Sequence, residues 1–233
     1  MIQLTPIVLA ILYAIVSYKF SAWKTKNTLN SKSVTLEDET LEALNNRMAK
    51  ALDLPKIRVN VYEIQIVNGL AAPDGRIFIT RGFIKKYHSG EISAAELATV
   101  IAHEIGHVAL GHTRRRLVDF SGQNIVRVIL TSFFGRLIPG LGIWIANTIT
   151  KLLFAKLSRN DEYEADAYAS ALLIKSGIGI GPQITLFEKL EQLTNVSGTG
   201  APAWLLSHPK TSERIKAIKT VSYTHLRAHE TRH

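Results

Sequence analysis

The feature that most constrains this chain is the pentapeptide His103-Glu104-Ile105-Gly106-His107. It sits in a segment that opens on a capping-box pair, Ser93 and Glu96, and whose pattern predicts a helix running to about Leu117. Residues four apart share a helix face, so the imidazoles of His103 and His107 can point at one ion, and Glu104 can reach a water held beside it. Two core histidines satisfied by hydrogen bonds would leave the same trace. A third donor separates the readings, because a catalytic zinc takes three protein ligands and keeps one position open. The chain has no cysteine, so that donor must be a histidine or a carboxylate.

One known arrangement takes a histidine six residues after the second, with a glycine between. Here those positions hold Thr113 and Leu110, and the pattern fails. His112, five residues past His107, points well off the face and reads as polar surface. The other arrangement draws a carboxylate from a separate helix. A second helix is predicted to open at Ser158, with Asp161 in its third position and Gly177 as its C-terminal stop. Glu162 and Asp166 lie four apart on it, so one can bind metal while the other orients a ligand histidine. Glu164 points nearly the opposite way and is the weaker candidate.

Thr35–Leu54 reads as an amphipathic helix with Leu41, Leu44, Met48 and Leu52 on its core face. Three β-branched runs follow, Ile57–Tyr62, Ile64–Asn68 and Arg76–Thr80, the last two around a Pro73-Asp74-Gly75 turn, and they predict a small antiparallel sheet. Pro182 and Pro209 mark two further helix starts. The fold class is α+β, mainly helical.

Apolar residues gather in two blocks, Ile2–Trp23 and Ile125–Phe154. The first predicts an N-terminal membrane helix, residues 1–24, with a cleaved signal peptide as the rival reading. Lys19, Lys24, Lys26 and Lys32 all follow it, which places the remainder of the chain in the cytoplasm, with a periplasmic location as the alternative. The net charge of +9 shows no dense basic stripe beyond Arg114–Arg116, which favours anionic lipid over nucleic acid as a partner. The stretch Val221–His233, with His225, His229 and His233, resembles translated vector sequence and is read as a non-native tail.

Taken together, Asn68–Gly82, His103–His107, Glu162–Asp166 and Ser207–Ile215 resemble, in order and type, the membrane zinc metallopeptidases that include the CaaX prenyl endoprotease, HtpX and BepA. The resemblance covers Leu36 to Lys219 and implies a zincin-like domain, set here at residues 33–220. It implies one Zn2+ bound by His103, His107 and Glu162, with Glu104 as general base and Asp166 supporting a ligand. It further implies that His208 reaches the active site. Asn68, Gly69, Leu70, Ala71 and Ala72 would form the edge strand to which a polypeptide substrate adds. The chain departs from the family between the two ligand helices. There residues 121–155 are too interrupted by Arg127, Arg136, Pro139, Gly140 and Lys151 for two full spans, and they predict a helical hairpin lying on or dipping into the bilayer. The expected function is zinc-dependent endopeptidase action on unfolded or membrane-associated proteins. The alternatives are a periplasmic protease of the same chemistry and a non-catalytic membrane scaffold.

Overall fold

The computed structural model describes residues 4–72, 74–138, 141–196 and 213–220. Helices dominate: α1 (Leu4–Ser31), α2 (Glu39–Ala51), α3 (Arg81–His88), α4 (Ala94–Ala109), α5 (His112–Leu137), α6 (Gly142–Lys175) and α7 (Gly181–Val196), with residues 213–220 also helical. Strands β1 (Ser33–Thr35), β2 (Val59–Tyr62), β3 (Gly69–Ala71) and β4 (Ile77–Thr80) form one sheet in the order β1-β2-β4-β3.

The sheet is mixed, and this corrects the antiparallel expectation. β1 runs antiparallel to β2 and β3 antiparallel to β4, but β2 and β4 are parallel neighbours, with Val59 opposite Ile77. Residues 63–76 supply the dozen or so residues that a parallel connection requires, and they carry β3 to the far edge on the way. Ile64–Asn68, expected as a strand, is irregular instead. It passes so close to the start of α3 that a Cβ on Gly82 would lie 2.3 Å from the Gln65 carbonyl oxygen.

The core lies between sheet and helices. Asp38 caps α2 by accepting from the Leu41 amide at 2.8 Å, and Leu41 and Met48 are fully buried as their spacing predicted. They pack with Ile77, Ile79 and Phe83, and with Leu97 and Ile101 of α4. The capping box of α4 is present, and its Glu96 also receives hydrogen bonds from Thr185 and Lys189, tying the helix start to α7.

Two helix boundaries differ from expectation. The helix predicted to reach Leu117 stops at Ala109, because Gly111 adopts φ 74° and redirects the chain into α5. No helix starts at Ser158; α6 runs unbroken from Gly142, and the described part of the linker, residues 121–138 and 141–155, lies almost wholly within α5 and α6. Gly177 does follow the end of α6, at φ 71°. The expected N-terminal membrane helix is not supported. Among the described residues no helix is long and apolar enough to cross a membrane, and the far end of α1 is docked, with Leu29 buried against Ala72 and Phe78.

α4 and α6 cross closely at Gly106, where a Cβ would sit 3.0 Å from the carbonyl oxygen and 3.1 Å from the Cα of Ala165. Gly106→Ala should therefore destabilise the protein by about 1–3 kcal/mol in thermal or urea melts, overpacking outweighing alanine's better helix propensity. Gly135→Ala, at a helical position with nothing within 4 Å, should instead be neutral or stabilise by up to about 1 kcal/mol.

Candidate metal centre

At that crossing α4 presents His103, Glu104 and His107, and α6 presents Glu162 and Asp166; all five are only 2–3% exposed. His103 Nε2 lies 3.1 Å from His107 Nε2 and 3.4 Å from Glu162 Oε2, and His107 Nε2 lies 3.5 Å from Glu162 Oε1. Ligand bonds of about 2.0–2.1 Å in a tetrahedron give edges of about 3.3–3.4 Å, so the three donors already stand at the spacing one zinc-sized ion requires. The two rings are nearly perpendicular, at 87°, which lets both nitrogens converge without stacking. Two imidazoles and one carboxylate also leave a fourth position open. The residues present fit a metal.

The opposite side of His103 is fixed by a carboxylate. Its Nδ1 is 2.9 Å from Asp166 Oδ1, the contact that keeps the N–H on Nδ1 and frees Nε2 as a donor to metal. Asp166 is itself gripped by Arg214, which donates from Nε to Oδ2 at 2.6 Å and from Nη2 to Oδ1 at 2.7 Å. The guanidinium, 1% exposed, lies 4.6 Å over the Phe187 ring, and its Nη1 is 3.7 Å from Glu162 Oε2. Burial opposes ionisation of Asp166, but the charge and hydrogen bonds of Arg214, joined by His103, hold its carboxyl below the ordinary range. Burial likewise opposes a charge on His103, yet hydrogen bonds to Asp166 and Glu162 outweigh it and raise the pKa to about 9. The carboxylates that flank His103 thus favour positive charge at this position.

The strand predicted as a substrate edge runs beside this pocket. β3 is at the sheet edge, and a Cβ on Gly69 would stand 2.8 Å from Val100 Cγ1 and 3.4 Å from Glu104 Oε1. Asn68 is locked to β4, its amide donating to Thr80 Oγ1 and its carbonyl accepting from Thr80, while Leu70 and Ala72 turn into the small cluster around Phe78.

Of the expected site residues, His208 lies outside the described residues, as do the tail histidines. His112 is corrected: it is 1% exposed, packed against His107 and Glu164, because the turn at Gly111 swings it back under the metal face. Arg214 was missed. It sits inside the Ser207–Ile215 motif, but a buried arginine carries no local pattern, and only its bidentate partner on α6 reveals its role.

A helix-borne histidine pair completed by a glutamate from a second helix, with another buried carboxylate next to the first histidine, is the layout of a metal-dependent peptidase. The model for peptidase family M48 matches residues 35–222, and the chain belongs to that family. It is 31% identical to the metalloprotease LoiP of Escherichia coli K12 over 180 residues, covering 77% of this chain and 68% of LoiP. The metalloprotease YcaL of the same organism is 28% identical, with 70% and 61% covered, and the human mitochondrial metalloendopeptidase OMA1 is 25% identical, with 69% and 31% covered. The chain thus spans about two thirds of the bacterial relatives and under a third of the human one. It is a metalloprotease, a hydrolase of peptide bonds in polypeptides.

The Arg214–Asp166 pair should be costly to break. Arg214→Met should destabilise the fold by about 3–5 kcal/mol in denaturant melts, since Asp166 is left buried and uncompensated. The double variant Arg214→Met with Asp166→Asn should recover part of that loss.

Proposed function

We propose that the chain is a zinc-dependent endopeptidase, with one Zn2+ held by His103, His107 and Glu162, acting on unfolded or membrane-associated polypeptides. The observation that carries this is the convergence of the three donors, at 3.1–3.5 Å from one another, beside Glu104 and an edge strand. A zinc ion there would acidify a water and polarise the scissile carbonyl. Glu104 takes the proton of the attacking water as its oxygen adds to the carbonyl carbon, then delivers it to the amine nitrogen as the C–N bond breaks. Asp166, braced by Arg214, keeps His103 in the tautomer the site needs. The substrate enters extended along Asn68–Ala72, where main-chain hydrogen bonds to β3 recognise backbone and read side chains weakly. A flexible chain can add as a strand; a folded one cannot. His208 is proposed as a further group at the site, on the strength of the family resemblance alone.

Membrane attachment is proposed through α1 and the α5–α6 pair. Phe20, Trp23, Phe133, Leu141, Trp144 and Leu152 are each about three-fifths exposed, at 59–67%. Exposed aromatic and aliphatic groups on helices that also carry lysine and arginine suit an interfacial position.

Glu104→Gln should keep zinc and fold but abolish cleavage of a casein-type substrate, and near wild-type activity would end the mechanism. Glu162→Ala should strip zinc from the purified protein, whereas Glu164→Ala should keep one ion per chain at saturating metal; the reverse pattern would refute the ligand set. For the membrane, Trp144→Glu with Leu152→Glu should reduce flotation with anionic vesicles several-fold. Unchanged flotation would mean that the hairpin is not the contact.

A further inference from the structure

The proposed hydrolysis leaves one buried group beside the metal face without a task. His112 Nδ1 is 3.0 Å from His107 Nδ1, and His112 Nε2 is 3.1 Å from Glu164 Oε2. His112 is buried, while the Glu164 side chain is 57% exposed. In a continuous helix residue 112 would lie about 140° around the axis from residue 107. The turn at Gly111 removes that offset, and a Cβ there would meet nothing within 4 Å, so the glycine is needed for its φ of 74° and not for room.

The proton count along these contacts has one consistent solution once His107 Nε2 faces a cation. The lone pair of that nitrogen is then used, so the ring's N–H is on Nδ1 and donates to His112 Nδ1. His112 accepts there, carries its own N–H on Nε2, and donates it to the Glu164 carboxylate. Neither ring needs a charge.

We propose that His112 is a positioning residue for His107, fixing its tautomer and ring direction toward the metal, with Glu164 orienting His112 from the surface. The two ligand histidines are thus held by different devices: a buried carboxylate behind His103 and a neutral imidazole, backed by an exposed carboxylate, behind His107. A second cation at His112, Asp161 and Glu164 is the competing use of these groups. It is disfavoured because the Arg115 guanidinium already sits on the Asp161 carboxylate, and Asp161 Oδ1 is 3.9 Å from His112 Nε2.

The inference rests on His107 being a ligand, and the test separates the two. Zinc affinity is measured by competition with a chromophoric chelator, and the coordination sphere by the visible absorption of the Co2+-substituted protein, on the full chain. His112→Phe should weaken zinc binding by about tenfold to a hundredfold and shift the Co2+ bands. His112→Asn, which offers a carbonyl acceptor, should recover part of the affinity, and Glu164→Ala, which removes the acceptor for His112 Nε2, should weaken it by a smaller factor. If Glu162→Ala loses zinc while His112→Phe, folded by its melting curve, keeps wild-type affinity and spectrum, the positioning role is overturned and the ligand set stands. Should His112→Phe not fold, Glu164→Ala decides alone, since it removes the acceptor for His112 Nε2 while altering a largely exposed side chain: unchanged affinity and Co2+ spectrum would overturn the role. Two ions per wild-type chain, falling to one in Glu164→Ala, would overturn it in favour of a second cation site.

Discussion

Everything at the site depends on how closely α4 and α6 approach one another. A histidine pair on one helix fixes two donors, but the third must arrive from elsewhere to within a few tenths of an ångström. The missing Cβ of Gly106 allows the backbone of Ala165 to come that near. Glu162 and Asp166 straddle Ala165 on α6, so the same approach brings one carboxylate to the open side of His103 and the other to its back. A bulkier residue between the histidines would move both carboxylates together.

That approach also creates an electrostatic problem. His103, Glu104, His107, Glu162, Asp166 and Arg214 are all buried, and removing such groups from water is expensive. Arg214 is the only fixed positive charge among them, and it faces Asp166 directly with Glu162 close by. Replacing the ensemble by apolar side chains of similar size would not weaken the fold by any general argument, since buried ion pairs are poor sources of stability. The cluster is better understood as preparation for a cation, with the helix 213–220 supplying one positive charge of its own and the carboxylates remaining in excess.

What the sequence made legible is what depends on local spacing. The separation of His103 from His107 and of Glu162 from Asp166 translates directly into shared helix faces, and the capping box at Ser93 marks its helix start correctly. Pairing between distant segments is different. Nothing in Ile57–Tyr62 or Arg76–Thr80 says that the two strands lie side by side and parallel, since that follows from where residues 63–68 take the chain. Ser158 and Asp161 imitate a helix start, but packing of the long helix pair carries α6 straight through them. The break at Gly111 was hidden because an isolated glycine is tolerated within a helical pattern, and only its positive φ marks the turn. His112 was misread for that reason alone: on an unbroken helix it would indeed face outward. Arg214 was invisible for another, because a bidentate contact to Asp166 joins residues 48 apart in sequence.

The helices that build the site also build the apolar surface. α5 begins at His112 and ends among Phe133 and Leu137, and α6 begins near Trp144 and reaches Glu162 eighteen residues on. At the helical rise per residue, Trp144 is about 27 Å from Glu162 along the α6 axis, close to the thickness of a bilayer's hydrocarbon core. An end-on insertion would have to draw Lys151 and Arg127, both exposed, into that core. Lying along the interface leaves them in the headgroup layer, where basic side chains are favoured. On the proposed reading the hairpin therefore rests on the membrane lengthwise, with its exposed apolar groups at the surface and Lys151 and Arg127 among the headgroups.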